Sequence, residues 1–200
     1  MAELNYEERV AIARLRALGE LLPVELDRQL ADSGITSFEF TLLEALSEAP
    51  DQTLRLSALA ARTNATLPRL SRVVNSLERK GFVVRSACAG DKRATNAILT
   101  EQGADAYREA LPLHTEAVQT KVLAGLGEGG AERLASLVYD ILVKLDPDRK
   151  LGVTADGAPA DEACAADPAP VACAADPEPV ACSADPDPVV CPADPPVARG

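Results

Sequence analysis

Aromatic side chains are scarce in this sequence, with three Phe, three Tyr and no Trp among 200 residues. Proteins that hold single-stranded nucleic acid usually set stacking rings beside basic groups, so that class is disfavoured. Histidine is scarcer still. His114 stands alone, and with no nucleophile–base pair or carboxylate cluster near it the sequence assembles no catalytic constellation. Neither an enzyme nor a bound cofactor is expected. No run approaches the ~18 to 20 apolar residues that cross a bilayer. The acidic opening, Met1-Ala-Glu-Leu-Asn-Tyr-Glu-Glu8, has no apolar signal core, which points to the cytoplasm and away from membranes.

Positive charge is also in short supply, 20 Lys and Arg against 31 Asp and Glu, for a net −11. The distribution matters more than the total. Residues 1–54 carry 4 basic and 11 acidic side chains, residues 94–150 carry 6 and 9, and residues 151–200 carry 1 and 9. Residues 55–93 reverse the sign, with 9 basic and 2 acidic. A local basic patch, not the charge of the whole chain, is what displaces counterions from phosphate.

What is abundant is Ala and Leu at helical spacing. Ala11, Leu15, Leu18, Leu22 and Leu26 predict a helix over about 7–31, bent where Gly19 and Pro23 interrupt it. Thr36-Ser-Phe-Glu39 is a capping box that opens a second helix, ending near Pro50. Ser57 is placed to cap a short third helix to about Arg62. Asn64 suits a tight turn because it tolerates left-handed backbone. Thr66 is placed to cap a fourth helix with Pro68 in its first turn. Along that helix Leu67, Leu70, Val73, Val74 and Leu77 form a stripe to be buried, Arg69, Ser71, Arg72, Asn75 and Arg79 are left outside, and Gly81 ends it. Two short strands, 82–85 and 96–99, flank the turn Ala89-Gly-Asp-Lys-Arg93. Helix, tight turn, helix and basic ribbon in that order describe a winged helix-turn-helix, a shape that sets one helix in the major groove of duplex DNA.

Thr100 then caps a helix towards Leu123, kinked at Pro112. A last helix covers about 131–145, where Leu134, Leu137, Val138, Ile141, Leu142 and Leu145 repeat at near-heptad spacing. On one chain alone that stripe would be idle. The terminal helical regions, about 5–31 and 101–146, are therefore read as a homodimer interface around a reading head at about 36–100. The fold class is mainly α, with a small β wing. Gly125-Leu-Gly-Glu-Gly-Gly130 has the letters of a dinucleotide loop but follows a helix instead of a strand, and is read as an interhelical connection.

Residues 1–147 form the folded domain in this reading, and 148–200 a disordered tail. Ala163–Val171, Ala172–Val180 and Ala181–Val189 are three copies of a nine-residue unit, Ala-Cys-Ala/Ser-Ala-Asp-Pro-x-Pro-Val, with a degenerate fourth from Val190. Two prolines per unit forbid helix or central strand, and little apolar surface remains to offset chain ordering. Cys164, Cys173, Cys182 and Cys191 are nine apart, whereas metal sites favour gaps of two to four, so no metal is expected.

Asp91-Lys-Arg-Ala-Thr-Asn-Ala-Ile-Leu-Thr-Glu-Gln-Gly103 resembles the wing signature of the MarR family (multiple-antibiotic-resistance regulators), Asp-x-Arg followed by Leu-Thr-x-x-Gly. Leu70-Ser-Arg-Val-Val-Asn-Ser-Leu-Glu-Arg-Lys-Gly-Phe-Val83 resembles the family's recognition helix and its exit. The resemblance covers about residues 5–147. It implies a homodimer on a pseudo-palindromic DNA site, usually a repressor of transcription, relieved by a small organic effector or by thiol oxidation. It also places Arg93 in or beside the minor groove, where narrow width concentrates negative potential.

On the residues themselves, Arg69, Arg72 and Asn75 are the base-reading candidates, because Arg can grip guanine and Asn adenine with two hydrogen bonds. Arg62, Thr66, Ser71, Arg79 and Lys80 are the phosphate-positioning candidates. Asn64 in the turn and Lys92 beside Arg93 complete the DNA-facing set, with Asp91 as a salt-bridge support for Arg93. His114 is a candidate wall of an effector pocket. Cys88, near Arg85 and Lys92, is a candidate redox thiol, since neighbouring cations lower a thiol pKa. The expected function is a sequence-specific, duplex-binding transcriptional repressor released by a small molecule. The alternatives are a redox switch through Cys88 or the tail cysteines, and a winged-helix scaffold that binds proteins.

Overall fold

The computed structural model describes residues 3–154 apart from 89 and 90, and of 91–93 the backbone alone. The repeats of the tail lie outside the described residues. Among the described residues, six α-helices and a three-stranded antiparallel sheet follow one another as α1 (Tyr6–Gln29), α2 (Ser37–Ser47), β1 (Thr53–Arg55), α3 (Leu56–Arg62), α4 (Leu67–Arg79), β2 (Val83–Cys88), β3 (Asp91–Leu99), α5 (Glu101–Lys121) and α6 (Gly130–Leu145). This is the mainly α winged helix-turn-helix that the sequence predicts. The GxGxxG segment is indeed a connection between two helices. Short 3-10 turns fill several joints, and α1 and α5 each run unbroken through their internal proline.

The third strand was not foreseen. β1 lies against β3, with Thr53 opposite Ile98 and Arg55 opposite Asn96, so β3 is the central strand between β1 and β2. Two caps also differ from expectation. The N-cap of α3 is Arg55, with Ser57 inside the helix. Thr66 does occupy the N-cap of α4, yet its side chain makes no capping hydrogen bond. The boxes at α1 and α2 are complete. Asn5 pairs reciprocally with Glu8, and Thr36 with Glu39.

The core sits under the reading head. Phe40, Leu42, Leu43 and Leu46 of α2 meet Leu59 of α3, Leu70, Val74 and Leu77 of α4, and Val83, Ala97 and Leu99 of the sheet, all buried. The terminal helices are different. α1 buries no residue and α6 buries only Gly130, while Leu15, Leu18 and Leu21 of α1 and Leu137, Ile141 and Leu145 of α6 stand exposed. Their apolar faces find no partner among the described residues.

Two close approaches hold the layout. The Thr100 hydroxyl donates to the Gly81 carbonyl at 2.7 Å and accepts from the Gly103 N–H at 3.0 Å, which caps α5. α5 thereby starts so near the chain leaving α4 that a Cβ on Gly103 would lie 2.1 Å from the Phe82 carbonyl oxygen. The second approach lies beyond α6. Asp146 accepts the N–H groups of Lys150 and Leu151, at 3.1 and 2.8 Å, and the Thr154 hydroxyl. This turn buries Thr154 completely and aims the Gly152 N–H at the Ala61 carbonyl of α3, 2.8 Å away. A Cβ on Gly152 would come within 3.1 Å of the Arg62 Cα. Residues 148–154, assigned to the tail on composition, are thus part of the fold, because one carboxylate satisfies three donors and closes the turn.

Gly103→Ala is expected to destabilise the protein by about 2 kcal/mol or more, since the new methyl meets backbone that cannot rotate aside. Thermal unfolding measures it, and an unchanged midpoint would mean that the α5 start does not depend on this approach.

Candidate nucleic-acid interface

The interface is built on one amphipathic helix. Leu70, Val74 and Leu77 recur at helical spacing and are fully buried, which fixes the roll of α4. Ser71, Arg72, Asn75 and Arg79 are consequently turned outward, and all four are exposed. The helix has 13 residues, about 20 Å at 1.5 Å per residue, and suits a major groove roughly 12 Å wide. It is reached from α3 through a turn in which Asn64 takes φ 53°, a left-handed conformation that Asn tolerates. The Ala65 N–H closes this turn on the Ala60 carbonyl at 2.9 Å, and Thr66 follows, exposed.

Arg72 and Arg79 make no ion pair among the described residues. Arg69 is also exposed but is parked, with its guanidinium carbon 4.1 Å from the centre of the Phe38 ring, a cation–π contact. Arg62 is less available than expected. It pairs with Glu48 and its side chain is only 21 % exposed. Asn75 is engaged by a residue that sequence reasoning had not placed here. Arg85 of β2 donates to the Asn75 side-chain oxygen and to the Ser71 carbonyl, and pairs with Glu78 at 3.0 Å. This clamp ties the wing to the outer face of α4. The only hint in the sequence was the basic charge of Arg85.

Beside the helix is a cavity of about 200 Å³, lined by Leu22, Pro23, Leu26, Phe38, Arg69 and His114 among others. The His114 ring stacks on Phe40 at 4.1 Å, and burial lowers its pKa below the ordinary histidine value. The cavity joins the long helices α1 and α5 to the reading helix, since Arg69 belongs to α4.

A model of the MarR family matches residues 33–94. The chain is 26% identical over 120 residues to the transcriptional repressor YetL of Bacillus subtilis, spanning 60% of this chain and 71% of that protein. Among solved structures it is similar to AbsC of Streptomyces coelicolor, with 27% identity, 74% of this chain and 99% of that one covered, and TM-score 0.69. It is similar also to Sco3205 of Streptomyces coelicolor, a MarR family regulator crystallised with DNA, with 34% identity, 74% and 92% coverage, and TM-score 0.70. The chain belongs to the MarR family.

In this MarR-family head the wing strands reach Cys88 and Asp91, which face each other across β2 and β3. The side chains of Asp91, Lys92 and Arg93 lie outside the description. Cys88 is buried and disulfide-bonded, so it is not a reactive thiolate in this state. Lys80 differs most from expectation. It turns inward, its ammonium donating to Glu39 Oε2 at 2.7 Å and to the Gly34 carbonyl at 2.9 Å. Glu39 also accepts the Thr36 N–H at 2.9 Å and the Ser76 hydroxyl at 2.9 Å. Burial pushes the Glu39 pKa up, but the Lys80, Thr36 and Ser76 contacts outweigh it and hold the carboxyl below its ordinary 4.5. Lys80 is a fastener of α4, reaching a carboxylate 41 residues earlier, a distance along the chain that no local pattern discloses.

A lowered carboxyl pKa means that this stabilisation is present above the ordinary carboxylate range and is lost as pH falls through the folded value. Glu39→Gln should therefore cost about 2 kcal/mol or more near neutral pH, because it leaves the half-buried Lys80 ammonium without its counter-charge. The deficit should shrink in acid, where the parent loses the same pair. Denaturant titrations of both proteins across pH check it; a deficit independent of pH would assign the effect to packing.

Proposed function

We propose that this MarR-family chain is a homodimeric, duplex-DNA-binding repressor of transcription, with α4 in the major groove and the β2–β3 wing alongside. The observation that carries the reading is the exposed polar face of α4, Ser71, Arg72, Asn75 and Arg79, on a helix whose opposite face is locked into the core. The similarity to Sco3205, itself crystallised with DNA, supports it. The uncovered apolar faces of α1 and α6 supply the homodimer contact, and two heads related by a two-fold axis call for a pseudo-palindromic operator. Lys92 and Arg93 belong to the wing in this reading, with Asp91 as their support. No helix among the described residues is long and apolar enough to cross a membrane, in keeping with a regulator that works on DNA in the cytoplasm. Nothing in the reading calls for catalysis.

Release by a small organic effector fits the cavity beside Arg69. A ligand there touches α1, α5 and the reading helix together, so its differential affinity for two head positions would shift the population between them. CouR of Rhodococcus jostii, a protein of similar fold, has been crystallised with p-coumaroyl-CoA.

Arg72→Ala should weaken binding to an operator selected from a random pool by about 1–3 kcal/mol per half-site, with unchanged thermal stability because the side chain is exposed. Fluorescence anisotropy with the selected duplex, and analytical ultracentrifugation for the dimer, measure both parts. Full affinity in the variant would remove α4 from the reading surface.

A further inference from the structure

Ser71, Asn75 and Glu78 are spaced four and three residues apart on α4 and so share one face of it. Arg85, on strand β2, reaches all three. Its guanidinium donates to the Ser71 carbonyl at 3.1 Å and to Asn75 Oδ1, and pairs with Glu78 at 3.0 Å. A backbone carbonyl and a carboxylate therefore pin the guanidinium independently of Asn75. Guanidinium carries five N–H donors, has no acceptor and does not deprotonate in proteins. The end of the Asn75 amide that faces it must be the oxygen, and the amide nitrogen is turned away from it. Asn75 is exposed, and among the described residues that nitrogen makes no hydrogen bond.

Taken by itself, an asparagine on a reading helix suits adenine, because its oxygen accepts from the base N6 amino group while its nitrogen donates to N7. Here the oxygen is already committed to a cation. A base amino group brought to the same oxygen would be a second donor beside a positive charge. Guanine presents two acceptors in the major groove, N7 and O6, and no donor. We propose that Arg85 is a specificity-determining positioning residue, which holds Asn75 as a donor and turns its preference from adenine to guanine. The inference rests on the reading of α4 as the helix in the major groove. Arg85 touches no base in this arrangement; it acts through Asn75.

The test uses the full chain and an operator selected from random duplexes. Asn75→Ala, assayed on all single-base-pair changes of that operator, should flatten the preference at one position per half-site and so locate the pair beneath Asn75. At that pair the parent should favour guanine over adenine by about fivefold or more. Arg85→Met keeps the apolar stem and removes the guanidinium. It should lose that preference or reverse it towards adenine, with the preferences at other positions unchanged. A role for Arg85 in packing or on phosphate would weaken all duplexes alike and leave the ratio as it was, and that result would overturn the proposal. So would adenine or cytosine at the located pair in the parent, a comparison that does not depend on the Arg85 variant folding. An Asn75→Ala protein with every preference intact would overturn it too. A parent that enriches no duplex would sink the regulator reading and this inference together, whereas the other adverse results sink the inference alone.

Discussion

Glu39 receives donors from two helices, and the seat of α4 follows from them. The carboxylate caps its own helix at the Thr36 N–H and takes the Ser76 hydroxyl and the Lys80 ammonium from the end of α4. Being nearly dry, it makes each of these charge-assisted contacts stronger than a surface equivalent, and the loss of any one more costly. The hydrophobic stripe of α4 sets which face is inward; Glu39 sets how far the helix can slide or tilt on α2. Arg85 does the matching work outside, holding Ser71 and Asn75 to the wing. Between an inner anchor and an outer clamp, α4 leaves Arg72 and Arg79 exposed and, among the described residues, without an ion pair.

Much of this is legible in the sequence. The Leu70, Val74 and Leu77 spacing, the Thr36–Glu39 box, Asn64 in its turn and Gly81 after α4 are local signals, and local structure follows them. Apart from the two helix caps, what the sequence does not disclose has partners far away along the chain. Lys80 reads as an exposed cation on a helix end until Glu39 is brought beneath it. β1 has three residues, too few for an alternating pattern, and exists because β3 offers it an edge. The turn at 146–154 was hidden by composition, since Asp, Pro and Gly near a repetitive tail look like a linker. What makes it structure is the coincidence of Asp146, Gly152 and Thr154 with the end of α3.

The exposed faces of α1 and α6 and the small cavity at Arg69 belong to one design. The head is complete within a single chain, with its own core, whereas the long helices are not. Leu15, Leu18, Leu137 and Ile141 stay exposed among the described residues. Arg69 touches both systems, with its guanidinium over Phe38 and its side chain in the cavity wall. Any occupant of that cavity meets a side chain of the reading helix before it meets DNA.

The bond from Gly152 to Ala61 gives α6 a mechanical role. The helix has 16 residues, about 24 Å, and its far end is fastened to the first helix of the reading motif. A tilt of about 5° at the start of α6 would carry that fastened end about 2 Å, more than half of the 3.4 Å rise between stacked bases. α6 is in that sense a crank, and the nine-residue turn is the coupling through which a movement of the helix reaches α3.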